Sequence, residues 1–219
     1  ILTCEDRFVA SYKVLGGAPG TRETDLLEPD KLVEKIDALV LSGGSAFGLE
    51  AASETVNLLR RDNKGYSVSN TKVPIVPSAI IFDLMNGGNK DWENNPYIDL
   101  AQKAYSNMRS NFKIGSYGAG KGATAGNIKG GLGSCSLLIN NTYTVGALII
   151  VNSFGSVVVN DAPNFWAAPF EYQNEFGGLG CSNKFEPFKE IARTSPDDFK
   201  KNTVIGVVAT DAHLSKAQC

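Results

Sequence analysis

The sequence predicts a mixed α/β protein, and three observations support that prediction. Strand-like and helix-like segments alternate along the first half of the chain, with glycine-rich turns between them. Short runs rich in β-branched residues dominate the second half. The chain has 219 residues, of which 42% are apolar and 20% charged, which is typical of a globular protein with a sizeable core.

The elements of the first half follow from local spacing. Residues 8–15 are predicted to form a strand, and residues 36–41 form a short apolar run that is typical of a buried strand. After Ser45 the apolar residues recur at helical spacing, which predicts a helix capped by Ser45. A second helix is predicted after Asn95 and Pro96, because asparagine caps helices and proline is favoured in the first turn.

The second half is predicted to be mainly strands. Residues 137–140, 143–151 and 156–160 are short and rich in β-branched residues, with hairpin-like turns between them. Residues 183–198 are polar and carry two prolines, which indicates a surface connection. Residues 203–210 (TVIGVVAT) are almost uninterruptedly apolar, so we expect a strand that is buried on both faces.

The charge balance excludes some classes of function. Lys and Arg number 21 against 23 Asp and Glu, which gives a net charge of −2. A general nucleic-acid binder needs a basic face, so we expect no nucleic-acid partner. No apolar run approaches the roughly 20 residues that span a bilayer, and no signal-peptide pattern opens the chain. We therefore expect a cytoplasmic protein without a membrane partner.

Histidine and cysteine limit the chemistry further. His213 is the single histidine, so a multi-histidine metal site is excluded and any Ser-His or Cys-His site must use it. The four cysteines lie far apart and form no C-x-x-C pair. We expect reduced, mostly buried thiols and no metal.

Two glycine-rich segments approach known motifs without satisfying them. Residues 115–121 fit G-x-x-x-x-G-K, but Gly122 stands where a Ser or Thr should coordinate Mg²⁺. A glycine-rich bend where backbones approach closely is the favoured interpretation. Residues 41–48 resemble a nucleophile elbow, yet Phe47 occupies the position of the last glycine. A helix cap is the better interpretation of Ser45.

Amide chemistry is also possible without histidine. A hydroxyl nucleophile needs a base, and the α-amine of a chain that begins with Ser, Thr or Cys has a pKa of about 7.7 to 8.0. The peptide bond before that residue must first be cut, and the start of a rigid strand is the natural place. The Asn202–Thr203 bond, at the entry to residues 203–210, fits this description. Threonine is common at strand starts, so the ordinary structural interpretation remains open.

Several long runs match a known family. They are residues 17–27 (GAPGTRETDLL), 41–51 (LSGGSAFGLEA), 73–84 (VPIVPSAIIFDL), 118–133 (GAGKGATAGNIKGGLG), 151–152 (VN) and 202–212 (NTVIGVVATDA). The chain resembles the DmpA/BapA-type self-processing peptidases, a family with L-aminopeptidase/D-esterases, β-peptidyl aminopeptidases and nylon-oligomer hydrolases. The resemblance covers essentially the whole sequence.

The resemblance implies a fold and a site. It implies a single domain, residues 1–219, with the four-layer αββα sandwich of the N-terminal-nucleophile type. Autocleavage would leave residues 1–202 in the larger (α) subunit, and residues 203–219 would begin the (β) subunit. By position, Thr203 is the implied nucleophile, Asn202–Thr203 the scissile bond and Asn152 the oxyanion-hole amide.

This sequence also departs from the family. Asn127 stands where the nylon-oligomer hydrolases have a lysine, and Lys121 and Lys129 are the candidates to replace it. Residues 80–82 are apolar where the aminopeptidases carry a carboxylate that binds the substrate amine, which puts strict aminopeptidase specificity in doubt. The candidate substrate-pocket residues are Phe82, Gly118, Lys121 and Asn127.

The resemblance implies a cofactor-independent hydrolase that cleaves amide bonds of short peptides or peptide-like amides. It also implies a homo-oligomer, namely a tetramer of processed protomers. Two alternatives share the architecture: a member that never processes and has no activity, and an acyltransferase of the ornithine-acetyltransferase type. A phosphate-binding protein that uses residues 115–121 is a third alternative.

Overall fold

The structure is a computed structural model that describes residues 1–160, 162–183 and 202–219. It confirms a mixed α/β fold. The strands are β1 (Leu2–Val9), β2 (Thr21–Arg22), β3 (Lys35–Ser42), β4 (Tyr66–Val68), β5 (Thr71–Val73), β6 (Ser78–Ile80), β7 (Thr124–Ala125), β8 (Ile128–Lys129), β9 (Gly131–Ile139), β10 (Tyr143–Asn152) and β11 (Thr203–Thr210). The α-helices are α1 (Glu50–Arg61) and α2 (Tyr97–Ser106).

A four-stranded sheet with the order β1-β3-β6-β2 supports the helices. Strand β3 lies antiparallel to β1 and parallel to β6. Successive side chains of a strand point to opposite faces, and β3 uses both of them. Ala38 and Val40 pack with Leu59 of α1 and Ala101 of α2, whereas Leu41 faces the second sheet. The predicted buried strand at residues 36–41 is therefore confirmed.

The second sheet is antiparallel and has the order β11-β10-β9. Its central strand β10 carries Ile150, which is fully buried against Ile81 and Ala123. Leu41 of β3 joins the same cluster, so the two sheets share one apolar layer. The result is three layers: the helices pack on the first sheet, and the first sheet packs on the second. The end of β6 contacts the beginning of β11.

Two strand predictions are corrected by the structure. The strand expected at residues 8–15 lies earlier, because β1 finds its partner through pairs such as Leu2 with Leu39 and Phe8 with Ile36. Residues 156–160 form no strand and make a single isolated bridge, Val158 with Phe165. Local bonds hold that segment, for example from the Val158 N–H to the Ser156 hydroxyl.

Strand β11 has the predicted bounds but not the predicted burial. It is the edge strand of its sheet and pairs with β10 alone within the described part of the chain. Val204 and Val208 are 57% and 72% exposed. An apolar run of this length is typical of a strand between two covered faces. Here Ile205 packs toward Ile150 on the inner face, whereas Val204 and Val208 lie on the outer face, which no described element covers, and this is why the inference was wrong.

The predicted start of α1 is wrong, and that of α2 is confirmed. Ser45 has a left-handed φ of 52° and makes no capping bond, and residues 45–49 form a 3₁₀ turn before α1 begins at Glu50. Before α2, the Asn95 carboxamide oxygen accepts the Tyr97 N–H at 3.0 Å. The asparagine therefore caps this helix as expected.

The predictions for the thiols and the polar connection have different outcomes. All four cysteines are free, as expected, but they are exposed, because none lies on a face that packs into the core. The predicted surface connection, from residue 184 onward, lies outside the described residues. Among the helices of residues 1–160, 162–183 and 202–219, none combines the length and apolar character that crossing a membrane requires.

Candidate active site at the junction of the two sheets

The pairing of β10 with β11 places Asn152 opposite Thr203. Asn152 is the last residue of β10 and Thr203 the first of β11, and they are partners in the antiparallel register. Directly opposed residues lie on the same face with Cβ atoms about 4.5–5.5 Å apart. The structure therefore brings together the two side chains that the resemblance implied, and it does so at a strand end beside the first sheet.

Thr203 is half-buried and borders an open cleft between the two sheets. Its hydroxyl oxygen accepts a long hydrogen bond of 3.4 Å from the Phe82 N–H, just beyond β6. Asn202 is exposed and lines the same cleft. A threonine in this place is reachable from solvent and is held by both sheets.

Asn152 is only 1% exposed and is held at both ends of its carboxamide. The oxygen accepts the Thr124 N–H at 3.0 Å, and the nitrogen donates to the Phe82 carbonyl at 2.8 Å. The Asn86 carboxamide nitrogen donates to the same Asn152 oxygen at 3.1 Å. Phe82 therefore contacts Asn152 and Thr203 through its carbonyl and its N–H, respectively.

A buried carboxylate lies behind this strand end. Asp83 follows Phe82, and its Oδ1 accepts the Gly44 N–H at 2.6 Å. Gly43 and Gly122 line the carboxylate so closely that a Cβ at either position would overlap it. Burial, together with the nearby Asp83 charge, raises the pKa of Tyr97 to about 12. Tyr97 therefore stays protonated through the neutral range.

The remaining candidate pocket residues are spread more widely. Gly118 begins a single 3₁₀ turn, Gly118–Gly120, that borders the cleft. Lys121 follows it and is exposed, and Asn127 is exposed in the turn between β7 and β8. Within the described part of the chain, no hydrogen bond or ion pair joins Lys121 or Asn127 to Thr203.

The glycine-rich segment near the site has a packing role. Gly120 lies against the backbone of Gly131 and Leu132, and Gly131 lies against that of Gly115. The interpretation as a bend with close backbone approach is confirmed. Residues 115–121 lead into one 3₁₀ turn and not into an α-helix, so the dipole of an anion-binding loop is missing there.

The titratable groups define which chemistry the site offers. His213 is exposed and follows the far end of β11, whereas Thr203 begins that strand, so the imidazole lies away from Thr203 and Asn152. Across residues 1–160, 162–183 and 202–219 there is no cluster of three or more His, Cys, Asp or Glu side chains that could hold a metal ion. The described arrangement offers a hydroxyl, a buried carboxamide and backbone N–H groups, which suit acyl chemistry.

Sequence reasoning missed Asn86, Thr124 and Asp83. All three lie far from Asn152 or Gly44 along the chain and reach them only through the fold. No local spacing distinguishes them. In the segment 73–84 the sequence argument rests on the apolar residues 80–82 and assigns no role to Asp83.

The comparison with known families identifies the chain. The model of Peptidase family S58 matches residues 2–219, and the chain belongs to that family. Two curated relatives carry the description of aminopeptidase: the uncharacterized aminopeptidase Mb1368 of Mycobacterium bovis is 41% identical over 218 residues, and the uncharacterized aminopeptidase ML1167 of Mycobacterium leprae is 40% identical over 219 residues.

These relatives are longer than the chain. The alignments cover 96% of this chain, but 60% of the Mycobacterium bovis protein and 59% of the Mycobacterium leprae protein. Among solved structures, the PH0078 protein of Pyrococcus horikoshii is similar with a TM-score of 0.60 at 20% identity, over 97% of this chain and 52% of that one. That likeness shows a shared fold alone.

Proposed function

We propose that the protein is a self-processing N-terminal-threonine hydrolase that cleaves amide bonds of short peptides or peptide-like amides. The observation that carries the proposal is the pairing of Thr203 with Asn152 at facing strand ends beside an open cleft. Membership of Peptidase family S58 and the aminopeptidase names of the relatives support it.

The first proposed step cuts the chain itself. The Thr203 hydroxyl oxygen attacks the Asn202 carbonyl carbon, and the Asn152 carboxamide nitrogen donates to the oxygen that becomes negative. The C–N bond then breaks, and the proton of the hydroxyl passes to the Thr203 nitrogen. The Asn202 acyl group is now an ester on Thr203, and water hydrolyses that ester. The products are an Asn202 carboxylate and a Thr203 with both a free amine and a free hydroxyl.

The second proposed step acts on substrate. The free α-amine of Thr203, with an ordinary pKa of about 7.7 to 8.0, accepts the hydroxyl proton near neutral pH. The oxygen attacks the substrate carbonyl, the amine product leaves with that proton, and water hydrolyses the acyl-enzyme. Asn152 stabilises the oxyanion in both steps, so one site serves processing and turnover.

The finer architecture belongs to the same proposal. The described residues form a layer of helices and two layers of sheet, which supports a four-layer αββα sandwich in the whole protein. Its fourth layer would cover the outer face of the β11-β10-β9 sheet. Processing would divide the single domain, residues 1–219, after Asn202, so that residues 1–202 belong to the larger subunit and residues 203–219 begin the other one. We also propose a homo-oligomer of processed protomers, by resemblance a tetramer, acting in the cytoplasm on a small peptide or amide.

Self-cleavage of the purified chain tests this proposal. We expect intact-mass spectrometry to show two fragments, the first ending at Asn202, and N-terminal sequencing to find a new chain that begins at Thr203. Thr203→Ala should stay intact, because it lacks the attacking oxygen. Thr203→Ser, the matched control, should still cleave. A wild-type chain that stays whole after prolonged incubation, or a Thr203→Ala chain that cleaves equally fast, would overturn the proposal.

A further inference from the structure

The carboxamide of Asn152 has an unambiguous orientation. A backbone N–H can only donate and a carbonyl can only accept. The atom that meets the Thr124 N–H is therefore the oxygen, and the atom that meets the Phe82 carbonyl is the nitrogen. This orientation is the one that the proposed oxyanion stabilisation needs, since the NH₂ group must face the reaction and the oxygen must face away.

Asn86 reinforces this orientation from the side of the oxygen. It lies in the turn after Phe82, where its own N–H donates to the Asp83 carbonyl at 3.2 Å. Its carboxamide nitrogen lies 2.8 Å from the Gly122 carbonyl and 3.1 Å from the Asn152 oxygen. The Thr124 hydroxyl lies 3.3 Å away as well. The Gly122 carbonyl only accepts, so the NH₂ group of Asn86 faces the Asn152 oxygen.

The arrangement opposes rotation of the Asn152 amide. A half-turn would place the Asn152 NH₂ group against two donors, the Thr124 N–H and the Asn86 NH₂. It would also place the Asn152 oxygen against the Phe82 carbonyl. Two donors on the Asn152 oxygen, the Thr124 N–H and the Asn86 NH₂ group, restrict the carboxamide more than a single backbone contact would. Asn152 is also buried, so water does not replace a hydrogen bond that is lost there.

We propose that Asn86 is a positioning residue that orients the Asn152 carboxamide for oxyanion stabilisation. The proposal rests on the function proposed above and assigns Asn86 an indirect effect. Asn86 acts on the reacting groups only through Asn152. The two hydrogens of its carboxamide nitrogen face the nearest two acceptors, the Gly122 carbonyl and the Asn152 oxygen, and among the described residues it makes no hydrogen bond to Thr203. Removing the Asn86 side chain should therefore slow cleavage only when Asn152 is present.

Asn86→Asp is the direct test. It keeps the size of the side chain but replaces the donor by an acceptor that faces the Asn152 oxygen. We expect self-cleavage to slow at least 10-fold, a smaller effect than the roughly 10²–10³-fold loss that follows removal of an oxyanion donor. Asn89→Asp is the matched control, because Asn89 is exposed in the same loop and uses only its oxygen, toward the Asp91 N–H. It should cleave at the wild-type rate.

A double-variant comparison separates positioning from general structural damage. In an Asn152→Ala background, Asn86→Ala should change the cleavage rate less than 2-fold, whereas it should slow the wild-type chain several-fold. Equal slowing in both backgrounds would overturn the proposal, because the effect would not pass through Asn152. Asn86→Ala introduces no charge, so it tests the positioning role even if the Asn86→Asp variant folds poorly.

A measurement independent of activity distinguishes the two proposals. Hydrogen exchange of the Asn152 NH₂ group, followed by NMR and assigned with Asn152→Ala, should be at least 10-fold faster in Asn86→Asp than in wild type and unchanged in Asn89→Asp. Unchanged exchange in Asn86→Asp would refute the positioning role. Faster exchange in a protein whose wild-type chain never cleaves would refute the proposed function and leave the orientation of Asn152 by Asn86 in place.

Discussion

The carboxylate of Asp83 explains, at the scale of single residues, why glycine occupies two positions around the site. Gly43 and Gly122 have ordinary φ values, so neither needs glycine for its backbone conformation. Each lies where a Cβ would overlap the Asp83 carboxylate. Asp83 in turn accepts the Gly44 N–H at 2.6 Å and so ties the end of β6 to the turn after β3.

Gly122→Ala should therefore destabilise the protein. The added methyl group must displace a buried carboxylate that has little room to move, and overpacking of this kind costs about 1–3 kcal/mol. Gly133→Ala is the matched control, because a Cβ there meets no atom within 4 Å. Its effect on the free energy of unfolding should stay within about 0.5 kcal/mol. Urea denaturation measures both, and equal midpoints would contradict this account of Asp83.

The candidate site shows what the sequence could and could not predict at this scale. Thr203 and Asn152 were singled out through the family resemblance, and the structure places them opposite each other. Asn86 and Thr124 carried no such signal, because their roles come from hydrogen bonds to a residue 66 and 28 positions away. Contacts of that separation depend on how the two sheets dock, which local periodicity does not encode.

At the scale of elements, the two helices are joined by a buried carboxylate. Glu54 of α1 accepts a hydrogen bond of 3.0 Å from Asn57 and one of 2.9 Å from Gln102 of α2. Arg61 lies 3.8 Å away. The bond from Asn57, followed by that from Gln102, lowers the pKa of Glu54 below its ordinary value of 4.5. The charged form thus stabilises the contact between the helices.

This contact predicts a specific dependence on pH. A lowered folded-state pKa gives stability that is present above about pH 4.5 and lost as the pH falls through the folded-state pKa. Glu54→Gln should lower the stability at pH 7 by about 1 kcal/mol, because it replaces an acceptor of two bonds. The difference from wild type should shrink in acid. Glu93→Gln, an exposed control, should follow wild type, and a difference that stays constant down to pH 3 would refute the role of Glu54.

The elements predicted correctly are those that local pattern determines. The apolar stripe of α1, the buried run of β3 and the bounds of β11 all appear in the structure. The strand near residues 8–15 was misplaced, because the position of β1 depends on its register with β3, which lies about 30 residues later. The exposure of β11 was missed for a related reason, since its apolar sequence does not tell whether another element covers its outer face.

At the scale of the whole molecule, residues 203–219 contact the rest of the described chain both along β11 and near residue 216. Strand β11 pairs with β10 from Thr203 opposite Asn152 to Thr210 opposite Val145. Further on, the buried ammonium of Lys216 donates to the Leu26 carbonyl at 2.8 Å and to the Lys31 carbonyl at 3.3 Å. Cleavage before Thr203 would break neither attachment.

We therefore expect residues 203–219 to stay bound after cleavage, so that gel filtration gives one species and a denaturing gel separates two. Lys216→Met should weaken this retention, because it removes the donor of two carbonyls at nearly constant size. In the uncleaved Thr203→Ala chain, the same substitution should reduce stability by about 1–3 kcal/mol. Lys90→Met, at an exposed lysine, should have little effect. Equal stability and equal retention of the two lysine variants would show that Lys216 contributes nothing to holding the segment in place.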